Sequence, residues 1–172
     1  MSELTMNELT IRPASRFDAP TILRFIKELA EYEKAPQEVT ATVADLEASL
    51  FGQRPYAEAV IAEVAGKPIG FALYFHNFST WKGKPGLYLE DLYVVPEMRG
   101  SGYGKQLLLH LADIATQRGC PRFEWWCLDW NKPALDFYGS IGAAPMDEWT
   151  VQRMDKAAIE TFLESKVVSE LH

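Results

Sequence analysis

The chain has little of what redox, metal or membrane chemistry needs. Its 172 residues include only two cysteines and three histidines. Cys120 and Cys127 are seven apart, a spacing that fits neither a C-x-x-C pair nor a disulfide framework. Three scattered histidines do not make a zinc site, so no metal is expected. A reducing, cytoplasmic setting follows as the expectation. There is no apolar run of about 18 residues, so no membrane partner is expected. The stretch Met1 to Leu9 is polar and acidic and does not read as a secretory signal. Basic residues are also short, 17 Lys and Arg against 24 Asp and Glu, for a net charge of −7. That balance argues against a nucleic-acid partner, which usually needs a basic face. It would concentrate a cationic substrate, and it serves plain solubility equally well. No repeat, low-complexity tract or long linker interrupts the chain. Residues 1–172 are therefore expected to form a single domain.

What is present reads as alternating helices and strands. Leu9 to Arg12 is a short strand ended by Pro13. Asp18 reads as a helix N-cap with Pro20 in the first turn, and Ile22, Leu23, Phe25, Ile26, Leu29 and Ala30 follow at helical spacing. That helix should end near Lys34. A second helix should start at Thr42, with Asp45 completing a capping box, and end at Gly52. Ala57–Val64 and Ile69–Phe75 are apolar runs joined through Gly66-Lys67-Pro68, a hairpin signal. Leu87–Val95 is a third run. A helix from Gly104 to Arg118 follows, then a strand from Phe123 to Leu128. A short helix from Asn131 to about Ile141 comes next, with Asn131 as N-cap and Pro133 in its first turn. Glu148–Met154 reads as a last strand and Lys156–Lys166 as a terminal helix. The order βααβββαβαβα predicts an α/β fold, a mixed sheet with helices packed on it.

The segment Arg99-Gly100-Ser101-Gly102-Tyr103-Gly104 lies between a strand and a helix. Three alternating glycines keep side chains away from the backbone. Free N–H groups at a helix start, aided by the helix dipole, form an anion site. A tight turn that needs positive φ would also explain a glycine here. Three at alternate positions, after an arginine, favour phosphate. The spacing is neither G-x-G-x-x-G nor a GK[ST] loop, so dinucleotide and P-loop readings fit poorly.

The R-x-x-G-x-G pattern on a strand–loop–helix resembles the acyl-CoA loop of the GNAT acetyltransferase superfamily, and the element order resembles it from Leu9 to about Met154. Tyr88-Leu89-Glu90-Asp91, Ser79-Thr80-Trp81-Lys82-Gly83-Lys84, Leu128-Asp129-Trp130-Asn131 and Glu28-Leu29-Ala30-Glu31-Tyr32-Glu33 are similar to the diamine acetyltransferase branch. The Thr-Trp-Lys-Gly and Leu-Asp-Trp-Asn forms are more similar to its thialysine members. The resemblance implies acetyl-CoA as cosubstrate, with the pyrophosphate on Arg99, Gly100, Ser101, Gly102, Tyr103, Gly104 and Lys105. It implies pantetheine between splayed strands, beside Leu92, Tyr93 and Val94, and further cofactor contacts at Asn131, Lys132, Pro133 and Ala134. It implies a small cationic amine bound by Tyr32, Glu33, Trp81 and Glu90, and a homodimer. The stretch after Gly142, Ala143-Ala144-Pro145-Met146-Asp147, lacks the Phe that many superfamily members carry there.

Two residues are candidates for the chemistry. Glu90 and Asp91 interrupt an apolar strand, and simple alternation puts them on opposite faces: Tyr88, Glu90, Leu92 and Val94 on one, Leu89, Asp91 and Tyr93 on the other. A carboxylate in a covered sheet is costly unless it is paired or functional, and periodicity does not choose between them. The resemblance implies Glu90 as the amine-binding acid. Tyr138 sits on the helix after Asn131 and, from its neighbours alone, reads as a core tyrosine. The resemblance implies that it protonates the departing thiolate. Trp125 and Trp126 read as core or dimer packing. Three alternatives remain open on these motifs: a GNAT enzyme for a protein or antibiotic amine, a non-catalytic acyl-CoA sensor, and an ATP-binding protein.

Overall fold

The computed structural model describes residues 8–169, with side chains up to Lys166; of the opening stretch Met1 to Leu9, residues 1–7 lie outside it. Contacts divide the chain into two compact units, Met1–Leu128 and Asp129–His172. The first carries a five-stranded sheet in the order β1-β2-β3-β4-β5. Its strands are β1 (Leu9–Pro13), β2 (Glu58–Val64), β3 (Lys67–Ser79), β4 (Lys84–Val94) and β5 (Phe123–Trp125). Its helices are α1 (Ala19–Tyr32), α2 (Val43–Phe51) and α3 (Tyr103–Gln117). Strands β1 to β4 pair antiparallel, and β5 joins β4 in parallel.

Local chemistry accounts for several element ends. Thr42 and Asp45 form the expected capping box at α2, with the Asp45 N–H donating to Thr42 Oγ1 at 3.1 Å and the Thr42 N–H to Asp45 Oδ2 at 2.9 Å. The β2–β3 hairpin turns on Ala65 and Gly66, with φ of 52° and 75°, between paired Val64 and Lys67. Two left-handed residues in a row match the right-handed twist of the flanking strands. Gly119, with φ 68°, follows the end of α3.

Both faces of the sheet are covered, which is why Ala59, Val60, Ile61 and Ala62 are all buried in succession. On one face Ile22 and Phe25 of α1 and Leu46 and Leu50 of α2 pack with Ile61, Phe71, Leu73 and Tyr93. The Phe25 ring lies 5.8 Å from Phe71 and 5.6 Å from Tyr93. Each such buried aromatic contributes about 2–3 kcal/mol of burial free energy. On the other face α3 buries Leu107, Leu108, Leu111 and Ala115 and packs against β4.

Four sequence expectations change. Asp18 occupies the N-cap position of α1, but its side chain makes no capping bond. It closes a short 3-10 turn, accepting from the Ser15 N–H at 2.7 Å and from both Nη atoms of Arg12 at 2.8 Å. The buried carboxylate is satisfied by a cation rather than by the helix start, and Arg12 holds it below the usual carboxylate range. Helix α1 stops at Tyr32, short of Lys34, because Lys34 takes a positive φ of 62°. The third apolar run begins earlier than its apolar residues suggest, at Lys84, because Lys84 and Pro85 pair with Ser79 and Phe78 across a long hairpin. Strand β5 ends at Trp125, and Trp126 is 59% exposed with its ring edge-on to Tyr88, so Trp126 is not core.

The second unit holds α4 (Lys132–Ser140) and α5 (Lys156–Ser169). Asn131 precedes α4 but makes no side-chain capping bond. The expected strand Glu148–Met154 does not form: those residues are non-helical and unladdered, with Trp149, Val151 and Met154 exposed. A strand needs a neighbouring ladder for its backbone, and alternation in the sequence cannot supply one. Among the described residues no helix is long and apolar enough to cross a membrane.

Candidate active site

The site in the first unit is built around the second half of β4. Strand β5 pairs only with Leu87, Tyr88 and Leu89. From Asp91 to Val94, β4 is laddered to β3 alone. The Val95 N–H donates to the Ile69 carbonyl at 2.8 Å. The alternating residues Val94 and Leu92 therefore turn their backbone groups the other way, toward the side β5 has left. That edge offers donors and acceptors to an extended ligand.

The glycine loop follows. Gly100 and Gly102 have φ of 86° and 80°, and an added Cβ at either would meet nothing within 4 Å. Glycine is needed there for the backbone angle, since a side chain would not be crowded. The first α3 bond runs from the Gln106 N–H to the Gly102 carbonyl at 3.0 Å. The N–H groups of Tyr103, Gly104 and Lys105 thus have no partner inside the helix. Gly104 has ordinary backbone angles, and a Cβ there would lie 3.8 Å from Leu92 Cδ2, so α3 starts close against β4. The loop and the open strand edge together fit a phosphate-bearing, extended cosubstrate.

A bulge shapes the acidic side of the site. Leu73 pairs with Asp91 but Tyr74 pairs with Leu89, so Glu90 is the extra residue on β4. Simple alternation therefore fails at this point. Asp91 faces with Leu73 and Tyr93, toward α1, as expected; Tyr88, opposite Phe75, shares that face instead of the opposite one. Leu89 lies with Leu92 and Val94 on the α3 face. Glu90 is exposed at the bulge, and its charge acts on both Glu33 and Asp91. Burial, then Glu90 and Glu33, push Asp91 up to about 6. Partial desolvation, then Glu90, push Glu33 upward too. Glu33 and Asp91, both pushed toward the neutral form beside Glu90, make a site that a cation would relieve.

Tyr93 is 4% exposed. Burial first, and then its hydrogen bond to the Glu28 carboxylate, push its phenol up to about 12. The other Glu28 oxygen, Oε2, is buried without a hydrogen-bond partner. Arg99 Nε donates to the Val94 carbonyl at 3.0 Å. Its guanidinium carbon lies 5.6 Å from both the Tyr32 and the Tyr93 ring centres. Tyr32, Glu33, Glu90, Asp91, Tyr93 and Arg99 thus converge. Glu28 and Asp91 were not singled out as site residues from sequence. Asp91 carried a signal, a carboxylate in an apolar strand; Glu28 carried none beyond its place in a helix.

Trp81 does not join them within this unit. It is 89% exposed, at the tip of the β3–β4 hairpin. The six residue steps from Lys84 to Glu90 alone span about 20 Å of extended strand. In the second unit, Tyr138 is half-buried on α4, its ring 5.8 Å from that of Phe137, and its carbonyl accepts from the Ala143 N–H at 3.0 Å. Asn131, Lys132, Pro133 and Ala134 form the entry and first turn of α4. Among the described residues no group of three or more His, Cys, Asp or Glu is placed to hold a metal.

Comparisons with known proteins agree with this geometry. The model of the acetyltransferase (GNAT) family matches residues 23–143. A thialysine N-epsilon-acetyltransferase of Bos taurus is 40% identical over 146 residues, covering 80% of this chain and 85% of that protein. A spermidine/spermine N(1)-acetyltransferase-like protein of Homo sapiens is 36% identical over 166 residues, 91% of this chain but 24% of its own length. Among solved structures, an integron cassette protein from the mobile metagenome of V. cholerae superposes with a TM-score of 0.76 at 28% identity, covering 90% of this chain and 97% of that one. Strand order, glycine loop, acidic bulge and these likenesses lead to one statement: the chain belongs to the GNAT acetyltransferase family and is an N-acetyltransferase.

Proposed function

We propose that the protein moves an acetyl group from acetyl-CoA to the primary amine of a small cationic substrate, of the thialysine or lysine-like type or a polyamine. The single observation that carries the substrate class is the electrostatic proximity of Glu33, Glu90 and Asp91 beside the open edge of β4. The relatives named for thialysine and spermidine/spermine point the same way. In this reading residues 1–172 act as one acetyltransferase domain. The family implies acetyl-CoA as cosubstrate. Its pyrophosphate would lie on Arg99, Gly100, Ser101, Gly102, Tyr103, Gly104 and Lys105, and its pantetheine along Leu92, Tyr93 and Val94. Asn131, Lys132, Pro133 and Ala134 would supply the remaining contacts. No metal takes part. Tyr32, Glu33, Trp81 and Glu90 would bind the amine. The protein would work as a cytoplasmic homodimer, with no nucleic-acid or membrane partner; two cysteines that form no disulfide, Cys120 and Cys127, suit such a compartment.

Attack requires a neutral amine, and an alkyl ammonium near 10.4 is neutral in only about one molecule in a few thousand at pH 7. Direct transfer to an ordinary glutamate would be uphill by about 8 kcal/mol. Glu90 therefore holds the ammonium and passes its proton to solvent through water. The amine nitrogen then bonds to the thioester carbon, the C–S bond breaks, and the proton the nitrogen still has to lose passes through water to restore the Tyr138 phenol after its own transfer. Tyr138 donates its phenolic proton to the departing thiolate, a transfer eased because thiol and phenol differ by only about 1.5 units.

The test is a panel of thialysine, lysine, putrescine, spermidine and spermine with acetyl-CoA, at matched concentrations. Acetylated product from at least one is expected. Tight CoA binding with no product from any amine would refute the proposal in favour of a sensor.

A further inference from the structure

The arginine that opens the glycine loop makes three contacts outside it. Its Nε is committed to the Val94 carbonyl at 3.0 Å, one of the edge acceptors beyond the end of β5. Its guanidinium carbon lies over two tyrosine rings, 5.6 Å from each centre. Tyr32 is the last residue of α1, immediately before Glu33. Tyr93 is on β4, two residues after Asp91, and is itself fastened to Glu28 of α1. The next residue after the arginine is Gly100, whose positive φ begins the loop.

The geometry points to Arg99 as a positioning residue that ties the pyrophosphate loop to the end of helix α1 and so to the amine-binding carboxylates. This inference rests on the proposed function and assigns Arg99 a task beyond contact with phosphate. The physical reason is the shape of the guanidinium. A delocalised guanidinium can give a hydrogen bond from Nε and still set its charge beside two aromatic rings, whereas a lysine ammonium, a compact point charge, can make any one of these contacts but not all three at this geometry. A phosphate ligand alone would need only the charge. A clamp between Val94, Tyr32 and Tyr93 needs the plane.

The test is steady-state kinetics of the full chain with acetyl-CoA and an accepted amine, for Arg99→Lys, Tyr32→Leu and the double variant, each checked for folding by its melting temperature. For Arg99→Lys the amine KM should rise about five-fold, the equivalent of one weakened cation–π contact, a change that a role in phosphate contact alone would not produce. In the double variant the amine KM should rise by less than the product of the two single effects, since the Arg99–Tyr32 contact is lost in both. An unchanged amine KM in Arg99→Lys, or effects of the two substitutions that multiply, would overturn the inference. Arg99→Gln replaces Arg99→Lys if the latter does not fold, with the same expectation for the amine KM. If wild type acetylates no amine, the functional proposal fails by itself. The clamp is then read from denaturation of the same four proteins, where additive losses of stability would refute it.

Discussion

Replacing Asp91 by asparagine should leave stability unchanged near pH 4 and raise it at neutral pH. Asp91 lies in β4 opposite Leu73, facing the α1 side of the core, with Glu33 and Glu90 nearby. Burial is the first cause of its raised value and the two neighbouring acids follow. Moving the carboxyl from 3.8 to about 6 makes it about 3 kcal/mol easier to protonate in the folded chain than in the unfolded one. The sign follows from proton counting. Below 3.8 both states hold the proton and the acid carries no penalty. Between about 4 and 6 the unfolded chain releases it first, so the folded state binds more protons and stability falls as pH rises. Above about 6 the full penalty is present. Asparagine never ionises, so its advantage over aspartate should grow through that window and then level off. For a chain of this length about 3 kcal/mol is an upper bound that corresponds to about 6–12 °C in melting temperature. The measurement is calorimetric or fluorescence melting of both proteins from pH 4 to pH 7.5. Groups common to both, such as Asp18 and Glu58, largely cancel in the difference. A difference that does not depend on pH, or an asparagine variant less stable at pH 7, would refute the burial of an ionised Asp91.

Other outcomes are as specific. Glu90→Gln should lower turnover strongly at neutral pH, and steady-state rates near wild type would remove Glu90 from proton handling. Tyr138→Phe keeps the ring and removes the proton, so kcat should fall by about 100-fold or more with little change in acetyl-CoA binding by calorimetry. Gly102→Ala places a side chain at a φ of 80°, which costs about 1–2 kcal/mol and should raise the acetyl-CoA KM. Arg12→Leu strips the buried Asp18 carboxylate of its cation and should destabilise the fold by about 3 kcal/mol in urea denaturation.

The sequence by itself determined those features whose cause is local. Glycine is favoured wherever φ is positive, so the alternating glycines at Gly100 and Gly102 mark the loop by residue type alone. The Thr42 capping box and the apolar stripe of α1 were legible for the same reason: the interacting groups lie within four residues of each other. The branch-like segments carried the chemistry at the level of residue type. What tertiary structure decided was whatever depends on a distant partner. The bulge at Glu90 exists only because β3 pairs with β4 out of step there, and it alone moves Tyr88 onto the face of Asp91. Asp18 turned from helix cap to ion pair because β1 brings Arg12 beside it. Glu148–Met154 had the pattern of a strand but no ladder to join. Arg99 read as a phosphate ligand from its place before the glycines, and only the packed end of α1 put two tyrosine rings around it. Register, burial and charge proximity are pair properties, and one position in a chain does not contain them.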